Sequence, residues 1–225
     1  MEIAVIDTGI SLNYFDNVDS LASNLNFTNV NDIKEDMIPN NVITHGTICA
    51  SIIKTYTQKA IIHSLNVFEN GIGIMAGIVA AINYCVQNKI KIINISFGTN
   101  CIQNDNLLEK AVNFAHDNGN IIVASVSKNG IVTYPAHYDK VISVGVKNEL
   151  HLGKNKIVVN KNPISSIEVF ACGIQRLYKN RKLIYITRNE PSYATAVVTA
   201  EICNILCNLG EDATKREILD ALSGI

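Results

Sequence analysis

The sequence has no apolar run approaching the roughly 20 consecutive residues that a membrane-spanning helix needs. It has no basic excess either. Its 19 Lys and Arg face 20 Asp and Glu for a net charge of -1, and no face gathers enough positive charge for phosphate contacts, so nucleic acid and membrane are not expected partners. The lysines at Lys154, Lys156 and Lys161 and around Lys179 to Lys182 read as a solvated loop and hairpin. Cys49, Cys85, Cys101, Cys172, Cys203 and Cys207 contain no Cys-x-x-Cys pair, and no recognised zinc spacing with histidine is found. Free thiols are therefore expected, with Cys203 and Cys207 as two buried apolar residues one helical turn apart. The start of the chain lacks a basic, then apolar, then small-residue pattern, which gives the expectation of a cytoplasmic protein. No glycine-rich phosphate loop, internal repeat, low-complexity segment or dividing linker is found. Asp32, Glu35 and Asp36 are scattered among Asn and Lys and read as a solvated loop, not a calcium site. No cofactor and no metal is expected.

The 225 residues, 48% of them hydrophobic, suit one globular domain over residues 1–225. Short apolar runs alternate with helix-like segments, the pattern of an α/β fold with a mostly parallel sheet. Strands are expected at 3–6, 60–68, 90–96, 121–125, 141–146, 157–159 and 183–187. Helices are expected at 46–55, 75–87, 106–118, 193–209 and 214–222, the last opened by the capping pattern Thr214-Lys215-Arg216-Glu217. Glu69-Asn70-Gly71 reads as a turn, and Gly119 as a helix stop.

Three residues stand where these elements meet. Asp7 ends the run Ile3-Ala4-Val5-Ile6 and precedes Thr8-Gly9. His45 opens His45-Gly46-Thr47 ahead of a helix, and Ser192 lies in Pro191-Ser192-Tyr193-Ala194-Thr195 at the start of the longest helix. A serine hydroxyl needs a neighbouring base to become a nucleophile. Histidine is the usual base, and an aspartate behind it fixes its tautomer. On an open parallel sheet such groups belong at the carboxyl ends of strands and the amino ends of helices. Taken singly, each residue has a plain structural reading: a turn-capping Asp, a loop His and an N-cap Ser.

Their order and flanks together resemble the subtilisin-like serine proteases (subtilases), whose triad runs Asp, His, Ser along the chain. Other segments share the resemblance. Ile92-Ile93-Asn94-Ile95-Ser96-Phe97-Gly98 is similar to the family strand whose backbone pairs with substrate. Asn70-Gly71-Ile72-Gly73 is similar to the segment flanking substrate on the other side, and Tyr134-Pro135-Ala136 to the family's Tyr-Pro-Ala stretch. The resemblance implies a three-layer α/β fold with helices on both faces of the sheet. It also implies serine endopeptidase activity with Asp7, His45 and Ser192 as the catalytic residues, in a minimal family member without propeptide. A peptide or protein substrate would bind as an extended strand against Gly71, Ser96, Phe97 and Gly98.

Two departures are visible. Glu190-Pro191 replaces the family's Gly-Thr before the serine. The stretch that supplies an oxyanion-holding Asn reads Ser125-Val126-Ser127-Lys128-Asn129-Gly130, so that donor is Asn129, or Lys128 in an ungapped alignment. The alternative to a peptidase is a catalytically silent peptide-binding or regulatory module of the same fold. Within the peptidase reading, selective processing of a peptide precursor is preferred to general turnover. His63, His116, His137 and His151 are read as structural, and Cys49, four residues after His45, as a small buried residue in preference to one lining the active site.

Overall fold

The computed structural model describes residues 1–18, 20–40, 42–100, 105–129, 131–147, 157–160 and 167–224. Cys101, His151, Lys154, Lys156 and Lys161 lie outside the described residues. In chain order the first half comprises β1 (Glu2–Asp7), β2 (Ser23–Asn26), β3 (Lys34–Glu35), α1 (His45–Tyr56), β4 (Ile61–Asn66), β5 (Phe68–Glu69), β6 (Ile72–Gly73), α2 (Met75–Gln87) and β7 (Ile92–Ile95). The second comprises α3 (Asp105–Asp117), β8 (Ile121–Ser125), β9 (Ile142–Val146), β10 (Val158–Val159), β11 (Val169–Ala171), β12 (Arg176–Lys179), β13 (Lys182–Ile186), α4 (Pro191–Leu209) and α5 (Lys215–Leu222).

The main sheet has the order β10-β11-β9-β8-β7-β1-β4-β2-β3. It is parallel from β11 across to β2, with antiparallel β10 and β3 on its edges. Its inner strands are mostly apolar because both faces are covered, as parallel sheets require, with His63, Ser64, Asn66, Asn94 and Ser143 among the buried polar exceptions. Along β1, Ile3 and Val5 join the cluster containing Ile48, Ile52 and Ile53 of α1 and Ala196, Val197 and Ala200 of α4. Ala4 and Ile6 face the other way, against Ile78 and Ile82 of α2 and Leu108 and Val112 of α3. The result is the expected three-layer α/β architecture.

Chain order sets the position of the crevice. β1 leads through β2, β3 and α1 to β4 on one side, and β4 leads through the β5–β6 hairpin and α2 back across β1 to β7 on the other. Connections that diverge in this way leave a cleft at the carboxyl ends of β1 and β7.

The structure differs from the sequence reading at several places. The strand expected over 60–68 stops at Asn66, whose side-chain oxygen accepts the Phe68 N–H at 3.0 Å and turns the chain out of the sheet. β5 and β6 then form a separate hairpin, with Asn70 at φ 50° and Gly71 at φ 79° in its turn. β2, β3, β11 and β12 are further strands that the periodicity did not mark. Asp36 is not solvated but buried beside β2, where its carboxylate accepts from Asn26 at 3.2 Å and Asn66 at 3.3 Å. Cys203 is buried as expected, but Cys207 is exposed because the last residues of α4 run past the core. Cys49, Cys85, Cys172, Cys203 and Cys207 are free thiols. The Thr214–Glu217 capping box forms in full. Among the described residues, no helix is long and apolar enough to cross a membrane.

Candidate active site

Asp7 closes β1 with its side chain 1% exposed. The Thr8 N–H donates to Asp7 Oδ1 at 2.8 Å, and the Thr8 hydroxyl accepts the Gly46 N–H at 3.0 Å, tying the strand end to the first turn of α1. Thr44 caps that helix: its hydroxyl accepts the Thr47 N–H and donates to the Gly9 carbonyl at 2.6 Å. A side chain at position 46 would place its Cβ 2.5 Å from the Gly9 carbonyl oxygen, so this approach requires glycine. His45 is thereby the first helical residue, and its Nδ1 lies 2.9 Å from each Asp7 carboxylate oxygen. An Nδ1–H held by a carboxylate leaves Nε2 as the nitrogen with a free lone pair. Burial works against a charged imidazole here, but the Cys49 sulfur and the Asp7 carboxylate outweigh it and raise the His45 pKa above its ordinary value.

Ser192 is the second residue of α4. Glu190 occupies the N-cap position without a side-chain cap bond and Pro191 the first helical position, so Ser192 is not the cap of its helix. The next side chain, Tyr193, is 7% exposed, and its ring centroid lies 5.4 Å from that of His45 at a 34° tilt. That contact brings the start of α4 to the Asp7–His45 pair. Among the described residues Ser192 Oγ forms no hydrogen bond to His45, a contact that in unliganded enzymes often tightens only with substrate.

The helix start is set from two sides. Thr199 on α4 donates to the side-chain oxygen of Asn94 at 2.9 Å, and Asn94 donates to Ser96 Oγ at 2.8 Å, locking α4 to the end of β7. Gly173 lies against Glu190, where a Cβ would fall 2.5 Å from the Glu190 carbonyl oxygen.

The two oxyanion candidates differ in their surroundings. Lys128 Nζ lies 3.7 Å from Glu190 Oε1, so Lys128 forms an ion pair with the residue two before Ser192. Asn129 is exposed, with its backbone N–H on Ser127 Oγ at 3.3 Å. Ser96, Phe97 and Gly98 continue past the end of β7, outside the sheet ladder. The ring of Phe97 meets that of Phe68 on β5 edge to face at 4.9 Å, bringing the β5–β6 hairpin and its exposed Gly71 alongside the 96–98 segment.

The model of the subtilase family matches residues 1–216. The chain belongs to the subtilase family. Over 161 residues it is 32% identical to a thermophilic serine proteinase from a Bacillus species, with 66% of this chain and 38% of that protein covered. It is 33% identical over 162 residues to the major intracellular serine protease of Bacillus subtilis, with 64% of this chain and 50% of that protein covered. The chain thus spans half or less of the length of these two relatives. Among solved structures, an epidermin leader peptide processing serine protease from Staphylococcus aureus superposes with a TM-score of 0.72 at 18% identity, covering 99% of this chain and 69% of the other.

In this subtilase, several residues that build the site are given no role by the sequence reading. Thr8, Thr44 and Gly46 join the Asp7 and His45 segments, while Asn94, Thr199 and Gly173 place α4. Only the polar character of Asn94 and Thr199 inside apolar runs hinted at a buried hydrogen bond. Cys49 is buried as expected, but its sulfur lies 3.9 Å from His45 Nδ1, a proximity that sequence spacing alone left open.

Proposed function

We propose that this chain is a single serine endopeptidase domain in which Ser192 is the nucleophile, His45 the general base and acid, and Asp7 the group that orients it. The observation that carries the proposal is the Asp7 carboxylate spanning His45 Nδ1 at 2.9 Å from both oxygens, with the histidine ring packed on the residue after Ser192. On this reading His45 Nε2 takes the Ser192 proton as Oγ attacks the scissile carbonyl. The same proton then passes to the leaving amine, and water releases the acyl group by the reverse sequence. The Ser192 backbone N–H at the start of α4, with Asn129 or Lys128, stabilises the oxyanion. Pairing with Glu190 engages the Lys128 ammonium, which favours Asn129 as the neutral donor.

Substrate is proposed to enter as an extended strand between residues 96–98 and Gly71, with Phe68, Ile72 and Phe97 as apolar walls. We further propose selective cleavage of a peptide precursor in a reducing cytoplasm. The free thiols suit that compartment, and one protein of the same fold carries the name of a leader-peptide processing enzyme. A fluorophosphonate probe should label Ser192 in the folded chain; absence of labelling would leave the silent peptide-binding module, the reading motivated by Glu190-Pro191 before Ser192 and by the altered oxyanion stretch. A cleavage profile over a peptide library separates processing from turnover, since a broad profile removes the precursor reading.

A further inference from the structure

Cys49 has no part in the proposed reaction, yet it is fully buried with its sulfur 3.9 Å from His45 Nδ1. His45 and Cys49 are four residues apart on α1, so both side chains project on one face a turn apart. Asp7 closes the arrangement from the end of β1. One ligand atom from each of Asp7, His45 and Cys49 can be chosen so that all lie within 4.8 Å of one another. A carboxylate oxygen, an imidazole nitrogen and a thiolate sulfur form a mixed donor set suited to zinc-class ions and poorly suited to calcium or magnesium. Zinc bonds of about 2.0–2.3 Å at tetrahedral angles separate neighbouring ligand atoms by about 3.3–3.6 Å. The observed Nδ1 separations are 2.9 Å to Asp7 oxygen and 3.9 Å to Cys49 sulfur, one slightly short and the other slightly long. Shifts of roughly half an ångström would bring both separations into that range, and the His45 ring, with its side chain 31% exposed, has room to make them.

We propose that Asp7, His45 and Cys49 form a binding site for a zinc-class divalent ion, whose occupation reversibly silences the site. The silencing half rests on the function proposed above; the binding half does not. Neutral His45 carries one ring proton, on Nδ1 toward Asp7. The ion takes the Nδ1 lone pair, so that proton is relocated to Nε2. The Cys49 thiol loses its proton to solvent and binds as thiolate, and water fills the remaining coordination position. The Cys49 thiol releases one proton for each ion bound and a protonated His45 releases a second, so affinity rises with pH. The two negative ligands neutralise the ion. His45 is left with Nε2–H, a donor without a lone pair, and cannot accept the Ser192 proton.

Cobalt(II) is the direct probe, because a bound thiolate adds a sulfur-to-metal charge-transfer band whether or not the protein cleaves peptides. The purified chain should develop that band with one equivalent of cobalt and lose it on addition of zinc. Cys49→Ala and Cys49→Ser should each abolish the band, two variants guarding against misfolding of either, with circular dichroism reporting the fold. Cys207→Ala, which removes the exposed thiol, should retain it. Zinc should inhibit peptide cleavage and a chelator restore it, while the Cys49 variants should need at least ~10-fold more zinc for the same inhibition. No charge-transfer band, or one that persists in folded Cys49→Ala, overturns the site. A band in a chain that cleaves nothing and takes no fluorophosphonate overturns the peptidase proposal instead.

Discussion

The Asp7–His45 contact decides the most at the scale of single residues. Asp7→Asn would present an amide to Nδ1 and favour the wrong imidazole tautomer, so kcat should fall by about 10⁴ while the fold survives. Steady-state kinetics with a chromogenic peptide, alongside circular dichroism, would measure this; a loss below tenfold would remove Asp7 from the reaction. The raised pKa of His45 predicts the pH dependence. The base must be neutral to act, so the acidic limb of kcat/KM should lie above the ordinary histidine value of about 6.5. The linked stability has the opposite dependence. A folded-state pKa above the unfolded one gives stability that is complete below the unfolded value and disappears as pH rises through the folded value. The Tm advantage of wild type over His45→Ala should therefore shrink as pH is raised; an advantage growing with pH would contradict the assignment.

At the scale of elements, the site depends on how α4 is held. Thr199→Val removes the hydroxyl that satisfies the fully buried Asn94 side chain. An unsatisfied buried acceptor costs about 1–3 kcal/mol, so the urea midpoint should drop by a corresponding amount. Gly173→Ala adds a methyl against the Glu190 backbone and should displace the Ser192 end of α4, lowering kcat more than it lowers stability. Equal labelling rates of this variant and wild type by a fluorophosphonate would mean that Gly173 does not position Ser192. Long elements were legible from periodicity: α2 spans the expected 75–87 and β8 the expected 121–125. Short or polar strands were not. Ser23-Asn24-Leu25-Asn26 forms β2 only because β4 offers a parallel partner along its length, a non-local cause that no local pattern records.

For the whole molecule, burial divides the sheet from its attachments. β1, β7 and β8 are covered on both faces, whereas the β5–β6 and β12–β13 hairpins stand outside the main sheet with Ile72, Tyr178, Leu183, Ile184 and Ile186 exposed. Amide exchange in β1, β7 and β8 should require global unfolding, while both hairpins exchange through local opening. Hairpin protection equal to that of the central strands would refute this division. The sequence by itself determined the α/β class, the places where strands pass into helices, and the order Asp7, His45, Ser192, because these reside in apolar periodicity and local turn chemistry. It could not determine that Asp36 is buried, that Lys128 faces Glu190, or that Cys49 shares His45 with Asp7. Those facts depend on distances between segments far apart in the chain: the pairing of β2 with β4 encloses Asp36, and the packing of α1 and α4 against the sheet brings the other groups together.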